Sequence, residues 1–348
     1  MKVDPSAAVQ PGASTPEGRS ETIEHGGDLA AVRLRFPTAP EPWIDLSTGI
    51  NPHTYPLPTL EPDVWRRLPQ ASDEQVVLQA AAQRYGCAVD RIVAAPGSQA
   101  LIQVLPRLIE PSDVVVLGPT YGEHAVAWAR CGHRVVERRA PSDVGDARVV
   151  VVVNPNNPTG RVIAASELRE LAAVLAQRDG LLVVDEAFAD FAEPSVSVAA
   201  QLPPATIVLR SFGKAYGIAG VRLGFAVADT ALCARLRGEL GPWAVSGLAL
   251  AIGAAAFADT RWLAEMRVRL AEDRGRLDAL LNAGGLAVEG GTQLFCLARH
   301  AQAWPIADKL GRSGIHVRRF AAEPTWLRFG LPGSEAEWRR LADALTAE

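Results

Sequence analysis

Four residues of this 348-residue chain have the types and order needed to hold one aldehyde cofactor. Lys214 ends Ser211-Phe212-Gly213-Lys214, and Asp185 follows the apolar run 181–184. Asn157 lies in Asn154-Pro155-Asn156-Asn157-Pro158-Thr159-Gly160, and Arg222 in Gly220-Val221-Arg222-Leu223-Gly224. A lysine amine bonds an aldehyde, a carboxylate holds a proton on a ring nitrogen, and a guanidinium neutralises a phosphate. Pyridoxal phosphate needs all three.

Each position has a specific task. Lys214 must lose its proton to attack the aldehyde, which burial and nearby cations promote. Asp185 would keep the pyridine nitrogen protonated, so that the ring withdraws electrons from the substrate's Cα. Gly97-Ser98-Gln99-Ala100 precedes a helical pattern, and small residues there let backbone N–H groups approach a phosphate. Ser98 is equally an ordinary helix cap. Ser211 and Arg222 would complete the phosphate cup. Asn157 would donate to the phenolic oxygen of the cofactor, in a segment whose Asn-Pro pairs also mark a turn. Tyr121, in Gly118-Pro119-Thr120-Tyr121-Gly122-Glu123, is a candidate to stack on the ring.

These residues must be carried by an α/β framework. Apolar, β-branched runs at 113–117, 148–153, 181–184, 206–209 and 223–227 predict buried strands of a parallel sheet covered on both faces. Helical patterns at 98–109, 122–130 and 166–177 alternate with them, and helices continue through 243–283. Toward the C-terminus, strands at 293–297, 315–317 and 326–329 with helices at 302–312 and 334–347 predict a smaller α+β unit. The expected organisation is a disordered tail over 1–23, an arm that caps the site over 24–70, a large domain over 71–260 and a small domain over 261–348.

Composition excludes several classes. Hydrophobic residues make up 48% and charged residues 21%, as in a soluble globular protein. A net charge of −4 argues against a nucleic-acid surface. The four cysteines form no CxxC pair, so neither a zinc site nor a disulfide framework is expected, and a reducing cytoplasm fits. No apolar segment is long enough to span a bilayer, and the N-terminal stretch lacks the apolar core of a signal peptide.

From about residue 24 onward the chain resembles the fold-type I pyridoxal-phosphate enzymes, the aspartate aminotransferase superfamily. Within it, the chain is similar to threonine-phosphate decarboxylases of cobalamin biosynthesis. That narrower likeness is carried by His25-Gly26-Gly27-Asp28-Leu29, by Trp43-Ile44-Asp45-Leu46-Ser47-Thr48-Gly49-Ile50-Asn51-Pro52 and by Gly241-Pro242-Trp243-Ala244-Val245-Ser246. The resemblance implies a homodimer and a substrate arginine at Arg328, in Trp326-Leu327-Arg328-Phe329-Gly330. It also assigns His25, Gly26, Gly27, Gly49, Asn157 and Arg318 to the substrate. The implied reaction is decarboxylation of L-threonine O-3-phosphate. Two alternatives stand beside it: an aminotransferase for a phosphorylated amine such as histidinol phosphate, and a catalytically silent cofactor-binding module. Two departures from the superfamily pattern are visible. Phe188 stands where many members have a tyrosine three residues after the ring-nitrogen aspartate. Arg67-Leu68-Pro69 stands where many have Tyr-Pro.

Overall fold

Each predicted strand of the middle region forms, and together they build a sheet buried on both faces. A computed structural model describes residues 25–346; the expected 1–23 tail lies outside the described residues, as does residue 347 of the last predicted helix. The strands are β1 (Ile44–Leu46), β2 (Ile92–Ala95), β3 (Asp113–Leu117), β4 (Arg134–Arg138), β5 (Val149–Val153) and β6 (Leu181–Asp185). They continue as β7 (Thr206–Ser211), β8 (Gly224–Val227), β9 (Ala287–Thr292), β10 (Phe295–Arg299), β11 (Ile315–Arg319) and β12 (Trp326–Gly330). A seven-stranded sheet has the order β2-β8-β7-β6-β5-β3-β4, and a five-stranded sheet the order β1-β11-β12-β10-β9.

The central strand explains the long apolar runs. Val150 and Val152 of β5 pack with Leu182, Val184 and Val208 on one face. Val149 and Val151 pack with Leu181, Val183 and Ile207 on the other. A strand covered on both sides must be apolar throughout, so no alternation shows in its sequence.

Strand direction decides what reaches the site. β5, β6 and β7 are parallel neighbours, with Val153 paired to Asp185 and Asp185 to Leu209. Their carboxyl ends carry Asn157, Asp185 and Lys214 to one edge, where open α/β sheets bind ligands. β8 departs from the parallel expectation and runs antiparallel to both β7 and β2. A continuous apolar run carries no mark of its direction. The reversal matters because Arg222 precedes β8, so its guanidinium arrives at that same edge. There a Cβ on Gly224 would lie 2.4 Å from the Ser98 nitrogen, so only glycine lets β8 pass so close to the Gly97-Ser98 loop.

Two helical predictions divide. The segment 98–109 is the helix Ser98–Val104 followed by a 3₁₀ turn, Leu105–Leu108. Pro106 has no N–H to continue the α-helical ladder. The stretch 243–283 becomes Gly247–Ala258 and Thr260–Ala283, and the Asp259 side chain caps the second through Trp262 N.

The arm does two things. β1 pairs in parallel with β11, so the arm is a strand of the five-stranded sheet. Beyond β1 it straps the lysine loop: Asn51 N donates to Lys214 O at 2.9 Å, Asn51 Nδ2 to Ala215 O at 2.8 Å, and Tyr55 N to Tyr216 O at 2.9 Å.

Behind the site lies a buried ion triad. Arg210 of β7 donates to Glu186 at 2.7 Å and to Asp190 at 2.8 Å, and its guanidinium lies 4.4 Å from the centre of the Tyr85 ring. Glu186 follows Asp185 and Arg210 precedes Ser211, so the triad ties together two strand ends that carry site residues. Arg210→Ala would strand two buried carboxylates and should lower the unfolding free energy by about 3–5 kcal/mol. Urea titration of the cofactor-saturated protein checks this; an unmoved midpoint would show that the triad adds no net stability.

Candidate active site

Between the carboxyl edge of the large sheet and the arm lies a cavity of about 380 Å³. Lys214, Asp185, Ser98, Gln99, Tyr121, Asn157, Ser211 and Arg222 line it, with His25, Gly26, Gly49 and Arg328.

Lys214 sits in the short helix Phe212–Ala215, directly after β7. Its Nζ lies 3.4 Å from Ser211 Oγ and 5.1 Å from the centre of the Phe188 ring. Burial pulls its pKa down; Asp185 opposes that, while Arg328 and Arg222 add to it, and the net direction is downward. The amine is thereby moved toward the neutral form that attacks an aldehyde.

Asp185 ends β6 and is buried. Its Oδ2 lies 2.9 Å from His124 Nε2, and its Oδ1 accepts from Ala187 N at 3.0 Å. Burial alone would raise its pKa. His124, with Lys214 and the Ala187 N–H, outweighs burial and holds the carboxyl below the usual aspartate range. His124 is the functional residue that sequence reasoning missed. It is the second residue of the helix Glu123–Arg130, and Tyr121 precedes that helix, so no periodic signal in the sequence linked the two. Its ring stands edge-on to Tyr121, centroids 6.2 Å apart.

Ser98, Ser211 and Arg222, expected at the phosphate, come together on one side of the cavity. Gly97 does not line the cavity but stands behind it, with φ +85°. A Cβ there would lie 2.7 Å from Arg222 Nη2, so glycine lets the guanidinium lie against the loop. Arg222 itself has φ 55° and ψ 61°, a left-handed conformation that a non-glycine residue adopts only when its surroundings enforce it. Tyr121 donates its hydroxyl to Gln99 Oε1 at 3.1 Å, and burial, aided by the Glu123 charge, pushes its phenol up to about 12.

Arg328 of β12, expected at the substrate, lines the cavity. One terminal nitrogen donates to Asn157 Oδ1 and the other to Ser47 O at 2.6 Å, while Nε is buried without a partner. Burial, then the charge of Arg318, lowers its pKa to about 10, so it remains a cation at neutral pH. With Oδ1 turned to Arg328, Asn157 has its Nδ2 amide to offer the cavity, as a donor to a phenolic oxygen requires. Ser47 was also missed. Its hydroxyl donates to Asp45 Oδ1 at 2.5 Å and accepts from Gly27 N at 2.8 Å, linking β1 to the start of the arm.

Two residues expected at the substrate fall outside the cavity lining. Gly27 is turned away by its bond to Ser47. Arg318 pairs in register with Arg328 across β11 and β12, and its guanidinium lies 5.7 Å from the centre of the Phe320 ring. It influences the site through the charge of Arg328. Gly26 and Gly49 do line it, as close-approach positions: a Cβ would lie 2.5 Å from Ser47 O at Gly26 and 2.8 Å from the Phe188 ring at Gly49. His25 Nε2 lies 3.1 Å from Glu123 Oε1 at the mouth. No group of metal-binding side chains occurs among the described residues. No helix among them is long and apolar enough to cross a membrane.

The model of the family described as aminotransferase class I and II matches residues 66–345. The chain belongs to the class I and II aminotransferase family. It is 44% identical to a threonine-phosphate decarboxylase from Sinorhizobium sp, over 94% of this chain and 98% of that one. It is 42% identical to a threonine-phosphate decarboxylase from Pseudomonas aeruginosa, over 93% of this chain and 97% of that one. In fold it is similar to the histidinol-phosphate aminotransferase from Sinorhizobium meliloti in complex with pyridoxal-5'-phosphate. The TM-score is 0.77 at 23% identity, over 95% of this chain and 98% of that one.

This aminotransferase-family chain fits that cofactor on its own residues. The lysine is moved toward its neutral form, the carboxylate is held ionised, and a glycine admits the arginine to the phosphate loop. Phe188 leaves no phenol at its position, and Arg67 is paired with Asp73 at 2.7 Å.

Proposed function

We propose that the chain decarboxylates L-threonine O-3-phosphate with pyridoxal phosphate, giving (R)-1-aminopropan-2-ol O-2-phosphate for cobalamin biosynthesis. The observation that carries this reading is its near-full-length likeness to two threonine-phosphate decarboxylases. The cavity supports it: Arg328 and His25 give a doubly anionic substrate two basic partners beyond the arginine of the cofactor phosphate.

Bound pyridoxal phosphate supplies the electron sink for the bond that breaks at Cα. The chain's residues do the rest. Ser98, Ser211 and Arg222 would hold the cofactor phosphate, with Gly97 behind them making room for the guanidinium. Tyr121 covers the ring, Asp185 holds the proton on its nitrogen, and Asn157 donates to its phenolic oxygen. Lys214 would hold the cofactor through its amine and, when that amine is free, would return a proton to the substrate's Cα. Which bond breaks would be decided by how the chain holds the substrate's anionic groups. Arg328, already tied to Asn157 and Ser47, offers its buried Nε to a substrate anion from one fixed direction. Engaging the phosphate there would leave the carboxylate unclamped by Arg328.

Arg328→Lys should raise KM for threonine phosphate about 10–100-fold, because an ammonium cannot reproduce the fork that meets Asn157, Ser47 and the substrate together. Covalent attachment of the cofactor to Lys214 should persist. Steady-state kinetics beside the cofactor absorbance checks this, and an unchanged KM would remove Arg328 from the substrate site.

The chain acts as a cytoplasmic homodimer in this reading. Leu57 and Trp65, 61% and 67% exposed, line an apolar groove with Val221, next to Arg222, as a partner subunit covering the edge of the site would require.

Product analysis in deuterium oxide tests the reaction. Threonine phosphate should yield the amino-alcohol phosphate with one solvent deuterium on the carbon that lost the carboxylate. A keto product from histidinol phosphate, with no amino-alcohol phosphate from threonine phosphate, would replace this reading with transamination.

A further inference from the structure

Glu123 places a carboxylate at the mouth of a cavity that is read as binding anions. Its side chain is 12% exposed, against 50% for His25. Oε2 accepts from Gln99 Nε2 at 2.8 Å and from Gln103 Nε2 at 3.0 Å, and Oε1 lies 3.1 Å from His25 Nε2. An ionised carboxylate only accepts hydrogen bonds. Gln99 must therefore turn its amide N–H toward Glu123 and its carbonyl toward Tyr121, whose hydroxyl donates to it at 3.1 Å. For the same reason His25 presents an N–H at Nε2, which leaves Nδ1 as the nitrogen available to the cavity. Glu123 so connects His25 of the arm, Gln99 in the first turn of the helix Ser98–Val104 and, through Gln99, Tyr121.

We propose that Glu123 is a positioning residue for the substrate's phosphate, acting through His25. It anchors the ring by Nε2, so that the Nδ1 edge is held toward the phosphate. The proposal rests on the reading that the substrate carries a phosphate. It makes a prediction opposite in sign to simple electrostatics. A carboxylate near an anion site repels the anion, so deleting a bystander charge should tighten phosphate binding. Deleting a carboxylate that anchors His25 should weaken it.

The experiment is calorimetric titration of the cofactor-saturated protein with ethanolamine phosphate and with ethanolamine. Neither has a carboxylate to lose, and their difference isolates the phosphate. Wild type should prefer the phosphorylated amine. Glu123→Gln should weaken ethanolamine phosphate on the order of tenfold, the size of one charge-assisted hydrogen bond, and leave ethanolamine unchanged. His25→Ala should do the same, and the double variant should lose no more than either single one. The cofactor absorbance should not shift in any of them. Tighter phosphate binding in Glu123→Gln, equal weakening of both amines, or additive losses in the double variant would overturn the role of Glu123 while leaving the substrate reading intact. A wild type that binds the two amines equally would overturn both.

Discussion

Lys214→Ala should abolish covalent attachment of pyridoxal phosphate and reduce decarboxylation by at least about 10⁴-fold. One side chain performs two tasks here. In the proposed reaction it is the amine that bonds the aldehyde and, once free, the acid that returns a proton to Cα. Removing an acid–base group costs typically 10²–10⁴-fold, and losing covalent catalysis adds to that. Its setting makes the loss specific: burial, with Arg328 and Arg222, moves the amine toward its neutral form, while Asn51 holds the loop through Lys214 O. Among the described residues, no other lysine lines the cavity. Borohydride reduction followed by peptide mass analysis should locate the cofactor on Lys214 in the wild type and nowhere in the variant. A labelled peptide elsewhere, or a variant retaining a tenth of the rate, would refute the assignment.

Asp185→Asn should lower kcat on the order of 10³-fold, the scale seen when one preorganised electrostatic partner of a reacting group is removed. An amide cannot hold a proton on the ring nitrogen by charge, so the sink for electrons from Cα weakens while the shape is kept. The pair with His124 adds a pH signature. The carboxyl's pKa is depressed in the folded chain. Its ionised form therefore stabilises the fold above the ordinary aspartate pKa of about 3.9, and that contribution is lost as pH falls through the lower folded value. His124→Ala removes the strongest group holding the value down, so Asp185's pKa should rise and the acid limb of the kcat profile should move to higher pH. A limb that stays in place would mean that another group sets it.

Much of this site could be read in the chain before any coordinates. Lys214, Asp185 and Asn157 follow apolar runs, and a buried strand delivers the residue after it to a predictable edge. Arg222 was legible as a residue but not as a position, because the run 223–227 does not say that β8 is reversed. β1 was invisible as a strand, since three residues are too short to show a period. His124 was hidden for a different reason. Its place comes from one bond to Asp185, 61 residues away, which only the packing of its helix against the sheet creates. Arg318 and Arg319 illustrate the limit of adjacent charges. Alternation on β11 puts Arg318 beside Arg328, while Arg319 turns to Asp308 at 3.0 Å. Being next to Arg328 did not bring Arg318 into the cavity.

The central claim is that the carboxylate leaves Cα of a phosphorylated amino acid. Its most direct test is the release of carbon dioxide from L-threonine O-3-phosphate labelled at the carboxyl carbon, with no keto acid present, counted against active sites. Many labelled carbon dioxide molecules per site, matched one for one by amino-alcohol phosphate, is the predicted result. No labelled gas, with the amine instead lost once per site as a keto product, would contradict it.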